Sequence, residues 1–147
     1  MIVVGVDGSG SARAALGFAL DEARLRGAAV RVVGVWHVPV TAYGGAMVAP
    51  DPSLVAELEP QMSRVVERAL EEAGDAAAGL DVETVVREGA PVAVLLQEAE
   101  DAELLVVGSR GLGGFRGLLL GSVSQQCAHH APCPVVIVRH ARDLPSG

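Results

Sequence analysis

Short apolar runs alternate along this chain with longer stretches in which apolar residues recur every three or four positions. The first run, Ile2–Asp7, is strand-like and ends in the turn sequence Asp7-Gly8-Ser9. A helix follows, capped by Ser9 or Ser11 and running to about Arg26. It carries Ala15, Leu16, Ala19, Leu20 and Ala23 on one face and stops at Gly27. Ala29–Trp36 is the second strand. Pro39, Gly44, Gly45, Pro50 and Pro52 then mark a loop, His37–Asp51, of roughly fifteen residues, long for a compact domain. From about Pro52 to Ala78, Val55, Leu58, Met62, Val65, Val66, Ala69 and Leu70 keep helical spacing, with Pro60 a point of kink or restart. Asp81–Arg87 reads as a third strand. A helix opens on Pro91 and ends near Asp101, and Glu103–Gly108 is a fourth strand. After a glycine-rich segment, a short helix starts at Ser122 and ends before Pro132. Pro134–Arg139 is the fifth strand, and the tail 141–147 is expected to be mobile. This alternation predicts an α/β, Rossmann-like fold: one domain over 1–140, with an open parallel sheet and helices on both faces.

Composition agrees. The 147 residues fit one domain of common size. Half of them are hydrophobic but only 3% are aromatic, so the core must be Val, Leu, Ile and Ala, as suits a parallel sheet covered on both faces. A net charge of −7 speaks against binding a nucleic-acid backbone. No run approaches the roughly 18 apolar residues of a membrane-spanning helix. Met1-Ile2-Val3-Val4 lacks a basic region and soon meets Asp7, so no signal peptide is expected and a cytoplasmic location follows. Cys127 and Cys133 form no Cys-x-x-Cys pair and are expected to be reduced and partly buried. The chain has no lysine; all 11 cationic side chains are arginine. That excludes a Walker A loop and Schiff-base chemistry.

Candidate chemistry concentrates after the fourth strand. The segment reads Gly108-Ser109-Arg110-Gly111-Leu112-Gly113-Gly114-Phe115-Arg116-Gly117, then Leu118-Leu119-Leu120 and Gly121-Ser122-Val123-Ser124. So many glycines suit a backbone that curls through positive φ and lets a ligand come close, or else a flexible surface loop. Gly121-Ser122 opens a helix whose N–H groups offer an anion site, and the Ser122 hydroxyl either donates to a phosphate oxygen or caps the helix. Each such interaction is worth ~0.3–1 kcal/mol, so several loop N–H groups must add to it to hold a triphosphate.

In open α/β sheets ligands lie beyond the carboxyl ends of the strands, where strand order switches. Asp7 ends the first strand and Gly108 the fourth. If those strands are neighbours, Asp7 faces the glycine segment. There it accepts from ribose hydroxyls, helps hold Mg²⁺ brought in with phosphates, or simply makes a turn or cap. Arg110 and Arg116 are phosphate contacts or solvated charges. His37 stands at the pocket or in a plain loop, and Trp36 packs near the pocket mouth. His129 and His130 point about 100° apart on a helix and cannot share a metal, so no zinc site is expected. Ser9, Ser11 and Ser122 lack His/Asp partners by spacing, and Gly-x-Ser-x-Gly does not occur, so no nucleophile–base constellation is visible.

Gly108-x2-Gly111-x9-Gly121-Ser122 resembles the nucleotide signature of the universal stress protein family, Gly-x2-Gly-x9-Gly-[Ser/Thr], at the same spacing. Val4-Gly5-Val6-Asp7-Gly8-Ser9 and His130-Ala131-Pro132-Cys133-Pro134-Val135-Val136 are similar to that family as well, so the resemblance covers nearly the whole chain. It implies a five-stranded sheet ordered 3-2-1-4-5 and binding of ATP, with Mg²⁺ accompanying the phosphates. By that resemblance Gly5 lies under the nucleotide, Asp7 contacts ribose and the backbone of Val35 meets adenine. Gly108, Ser109, Arg110, Gly111, Leu112, Gly113 and Gly114 wrap ribose and phosphates, while Gly121, Ser122 and Val123 hold the β and γ phosphates. It also implies a homodimer through Pro134–Arg139, and an apolar edge strand independently invites pairing. There is one departure. Many family members carry a cation three or four residues before Gly121, where this chain has Gly117 and Leu118. Arg116 or Arg110 is left to supply that charge. The function expected is an ATP-holding stress-response regulator acting as a nucleotide-dependent dimeric binding module toward a protein partner. A slow ATPase of the same fold and a nucleotide-independent interaction scaffold are the alternatives.

Overall fold

Alternating burial along the strands assigns each residue to one of two helix layers. The structure is a computed structural model that describes residues 1–113 and 119–140. In chain order it contains β1 (Ile2–Val6), α1 (Gly10–Arg26), β2 (Val30–Trp36), β3 (Thr41–Tyr43), β4 (Ala46–Val48), α2 (Pro52–Ala73), a 3-10 turn (Gly74–Ala77), β5 (Val82–Glu88), α3 (Pro91–Glu98), β6 (Leu104–Gly108), α4 (Ser122–His130) and β7 (Val135–Val138). Five strands form one parallel sheet in the order β5-β2-β1-β6-β7. Counted within this sheet alone the order is 3-2-1-4-5. The chain numbering differs only because the hairpin β3–β4 stands outside it.

Ile2, Val4, Val6, Val30, Val32, Leu104 and Val106 share a core with Leu16 and Leu20 of α1 and Val66 of α2. Val3, Val33, Val85, Leu105 and Val107 share the opposite core with Val94 and Leu95 of α3 and Cys127 of α4. The period of two along each strand is what sorts them. Ile2, Leu16, Leu20 and Leu105 are fully buried, each worth about 1.5–3 kcal/mol of transfer free energy.

Local signals set the helix ends. Of the two serines, Ser9 caps α1, its hydroxyl accepting from the Ala12 amide at 3.2 Å, and Gly27 at φ 64° ends the helix. Pro60 lies inside a continuous α2, so the helix does not restart there. That helix stops at Ala73 rather than Ala78, because Gly74 turns away at φ 51° and a 3-10 turn carries the chain on. Similarly, α3 ends at Glu98 rather than near Asp101. The stretch expected as loop between β2 and α2 folds in part as the antiparallel hairpin β3–β4. Gly44 and Gly45, at φ 60° and 82°, supply the paired positive φ of a two-residue turn. Among the described residues no helix is long and apolar enough to cross a membrane.

From β1 the chain builds outward through β2 to β5, then returns to the other side of β1 for β6 and β7. The carboxyl ends of β1 and β6 therefore border the switch point. This places Asp7 beside the residues that follow Gly108.

Candidate functional site

Asp7 leaves the end of β1 with both carboxylate oxygens engaged. Oδ1 accepts from the Ser9 amide at 2.9 Å, which fixes the turn into α1. Oδ2 accepts from the Leu112 amide at 3.3 Å, which ties β1 to the glycine segment across the switch point. A Cβ on Gly111 would lie 2.8 Å from that same Oδ2, closer than side-chain carbons approach oxygen. Gly111 is therefore glycine because the carboxylate occupies its side-chain space.

The expectation of positive φ in this segment needs correction. Gly108, Gly111, Gly113 and Gly121 all lie outside that region. Close approach is the physical reason instead at Gly108 and Gly111. At Gly108 a Cβ would meet Ser11 Oγ at 2.6 Å and the Ser11 and Ala12 backbone at 2.7 and 2.8 Å, so the first turn of α1 rests directly on the end of β6. At Gly121 the Arg110 and Ser109 backbone is in ordinary contact at 3.4–3.5 Å, and at Gly113 nothing among the described residues lies within 4 Å.

Serine hydroxyls hold the segment from behind. Ser11 donates to the Arg110 carbonyl. The single Ser124 hydroxyl proton is shared between the Ser109 carbonyl at 2.9 Å and the Gly121 carbonyl at 3.0 Å. The Ser109 carbonyl also accepts from the Gly121 amide at 2.7 Å, and the Ser109 amide donates to the Val138 carbonyl of β7 at 2.8 Å. The helix α4 begins at once after this clasp. Its N-cap is Gly121, which brings no side chain to bond the first-turn amides, in contrast to the serine cap of α1.

These parts surround a cavity of about 550 Å³, within the ~300–1,000 Å³ usual for small-molecule sites. One end is apolar, built by Val33 and Val35 of β2, Leu95 of α3 and Val107 of β6. Gly5 opens that floor: a Cβ there would stand 3.1 Å from both Leu95 methyl carbons. The other end is glycine backbone and the start of α4. Asp7, just past the end of the central strand, stands between the two in sheet order. Among the described residues Asp7 is the one acidic residue in the lining, and Arg110 and His37 are the basic ones. Among the described residues no group of three or more His, Cys, Asp or Glu is placed to hold a metal ion.

Of the residues expected at the site, Gly5, Asp7, Val35, Gly108, Arg110, Gly111, Leu112, Gly113, Gly121, Ser122 and Val123 line this cavity. Ser109 does not; it is 1% exposed and anchors backbone beneath the segment. Gly114 lies outside the described residues, as do Arg116, Gly117, Leu118 and the tail 141–147. His37 joins the lining, whereas Trp36 does not and instead accepts from the Gly89 amide at 2.9 Å with its carbonyl. Ser124 and Leu95 were not expected. Ser124 had a signal, since a serine in the first turn of a helix can bond back to preceding backbone. Leu95 had none, because only the sheet order brings α3 beneath β1.

Neither cysteine belongs to the lining. Burial pushes the Cys127 thiol above its ordinary value. Burial also pushes Cys133 up, against a smaller downward pull from a backbone hydrogen bond with Leu105.

Comparison with known proteins agrees with this architecture. The model of the universal stress protein family matches residues 1–139. A universal stress protein of Thermus aquaticus is 37% identical over 143 residues, covering 94% of this chain and 97% of that protein. One of Mycolicibacterium smegmatis is 36% identical over 138 residues, covering 94% of this chain but 45% of its own length. The chain thus spans about half the length of the mycobacterial relatives it matches. A solved universal stress protein in complex with cAMP aligns with a TM-score of 0.64 at 31% identity, covering 93% of this chain and 94% of that one. With the match running from the first strand through the last, the chain belongs to the universal stress protein family.

Proposed function

We propose that the switch-point cavity binds ATP, and that the protein works in the cytoplasm as a stress-response regulator whose dimeric state or partner contacts depend on the bound nucleotide. One observation carries this reading: an uncapped helix N-terminus and a backbone-anchored glycine segment share a cavity with an apolar floor, and a single carboxylate stands between them. Such a cavity matches a molecule that is flat and apolar-faced at one end and polyanionic at the other. Adenine lies on Val33, Val35 and Leu95, with the Val35 backbone reading its edge. Each Asp7 oxygen already accepts one amide and keeps a further acceptor direction for a ribose hydroxyl. The phosphates take the amides at the start of α4 and those of the glycine segment, each contributing about 0.3–1 kcal/mol. In this reading Arg110, one of the lining residues, supplies the cation that the sequence lacks just before Gly121.

A lone carboxylate suits Mg²⁺ only as a companion of the phosphates, keeping most of its waters. Asp7 is the residue that would hold it, and the ion would neutralise phosphate charge there. The relative in complex with cAMP supports an adenine nucleotide in this family. For the dimer, β7 offers an open sheet edge of half-buried Val135, Val136, Ile137 and Val138. The test is to purify the protein, identify any co-purifying nucleotide by mass spectrometry, titrate the stripped protein with ATP and follow phosphate release. Saturable ATP binding without rapid release supports the reading. No nucleotide and no response to added ATP overturns it, and fast turnover lost in Asp7→Ala makes the protein an enzyme instead.

A further inference from the structure

Among the described residues the buried polar side chains are Ser11, Ser109 and Ser124, at 3%, 1% and 2% exposure. They come from α1, the glycine segment and α4, yet converge on one stretch of backbone. A buried hydroxyl costs stability unless it is bonded, so an otherwise apolar interior has concentrated that cost at one place. Two consecutive carbonyls receive these bonds. The Ser109 carbonyl takes the Ser124 hydroxyl at 2.9 Å, and the Arg110 carbonyl takes the Ser11 hydroxyl. The two donors reach in from helices on opposite faces of the sheet.

Peptide planes are rigid, and every described peptide here is trans. Pinning the Ser109 carbonyl therefore also fixes the direction of the Arg110 N–H. Pinning the Arg110 carbonyl fixes the Gly111 N–H, on the side away from Ser11. We infer that Ser11 and Ser124 are positioning residues for the anionic part of the ligand. Ser11, holding the Arg110 carbonyl on the α1 side, turns the Gly111 amide toward the start of α4 and the cavity, and Ser124, bonded to the Ser109 carbonyl, fixes the segment to that helix, while both protons stay committed to protein carbonyls. The Ser109 amide bond to Val138 holds the same stretch from a third side.

The inference rests on the nucleotide reading above, and its test separates the two. Ser124→Ala and Ser11→Ala are compared with the wild type for affinity toward adenosine and ATP, and for amide hydrogen exchange over Ser109–Gly113 without nucleotide. The expected result is an adenosine affinity within about twofold of wild type. ATP affinity should fall about tenfold, the factor that 1.4 kcal/mol represents. Exchange should speed up in the segment while β1 and β2 keep their protection. Equal loss toward adenosine and ATP, or unchanged ATP affinity, overturns the inference. If the wild type binds neither ligand, the nucleotide reading fails on its own. Unchanged exchange in the segment then still defeats the claim that the serines fix its backbone. Should one variant fail to fold, the other carries the same comparison.

Discussion

Replacing Gly111 with alanine puts a methyl group 2.8 Å from Asp7 Oδ2, where ordinary contact begins at 3.4 Å. The difference of about 0.6 Å must come from one partner. The carboxylate yields, because it turns about single bonds, and its bond to the Leu112 amide, already long at 3.3 Å, breaks. A hydrogen bond to a charged group contributes about 1.5 kcal/mol at the lower end of its range. That loss lowers the melting temperature by about 3–6 °C for a chain of this size. A displaced carboxylate also loses ribose, so ATP affinity should fall by about ten- to a hundredfold. The same change two residues on, Gly113→Ala, meets nothing within 4 Å among the described residues and should leave both quantities unchanged. Gly108→Ala should do the reverse of Gly111→Ala in emphasis. Its methyl group collides with the backbone of α1, which cannot turn aside, at about 3 kcal/mol and roughly 6–12 °C. Calorimetric titration with ATP and thermal denaturation by circular dichroism read out all three variants. Wild-type affinity in Gly111→Ala, or equal damage in Gly113→Ala, refutes the reasoning.

Other outcomes follow from the same geometry. Gly121→Val combined with Ser122→Ala should weaken ATP at least tenfold while the fold survives; unchanged affinity in a calorimetric titration would mean the phosphates lie elsewhere. With both thiols pushed up by burial, a thiol reagent near pH 8 should label half-buried Cys133 slowly and Cys127 only on unfolding, with rates rising with pH. Peptide mapping decides it, and early labelling of Cys127 contradicts the buried placement. The Ser53 hydroxyl and amide hold Asp51, the N-cap of α2, below its ordinary value of 3.8. Its contribution is present above that value and lost as pH falls below it. The thermal deficit of Asp51→Ala should therefore shrink from pH 7 toward pH 3.

How far the sequence speaks depends on the distance over which each feature is caused. Strands such as Leu104–Gly108 announce themselves because both faces are buried. The helix stop at Gly27 is legible because one residue causes it. The spacing of Gly108, Gly111, Gly121 and Ser122 is legible too, as are Asp7 and Val35 once the family pattern is matched. The reasons behind Gly108 and Gly111 are not. They depend on Asp7 Oδ2, 105 residues from Leu112, and on Ser11, 99 residues from Arg110. Local reasoning therefore supplies positive φ where the cause is a distant atom in the side-chain space. The hairpin β3–β4 hides for a different reason. Its strands are three residues each, too short for a period of two to stand out from loop. In α2, Ala76 and Ala77 continue the apolar spacing past Gly74, which overstates the helix.

A nucleotide at the switch point, with its phosphates on the glycine segment and the start of α4, would perturb those amides on binding. Backbone amide chemical shifts of the nucleotide-free protein, followed through a titration with ATP, test it most directly. Saturable shifts are expected at Gly111–Gly113, Gly121–Ser124 and Val35, with adenosine moving Val35 but leaving Gly121–Ser124 in place. Saturable shifts confined to other surfaces, or none at all, would contradict it.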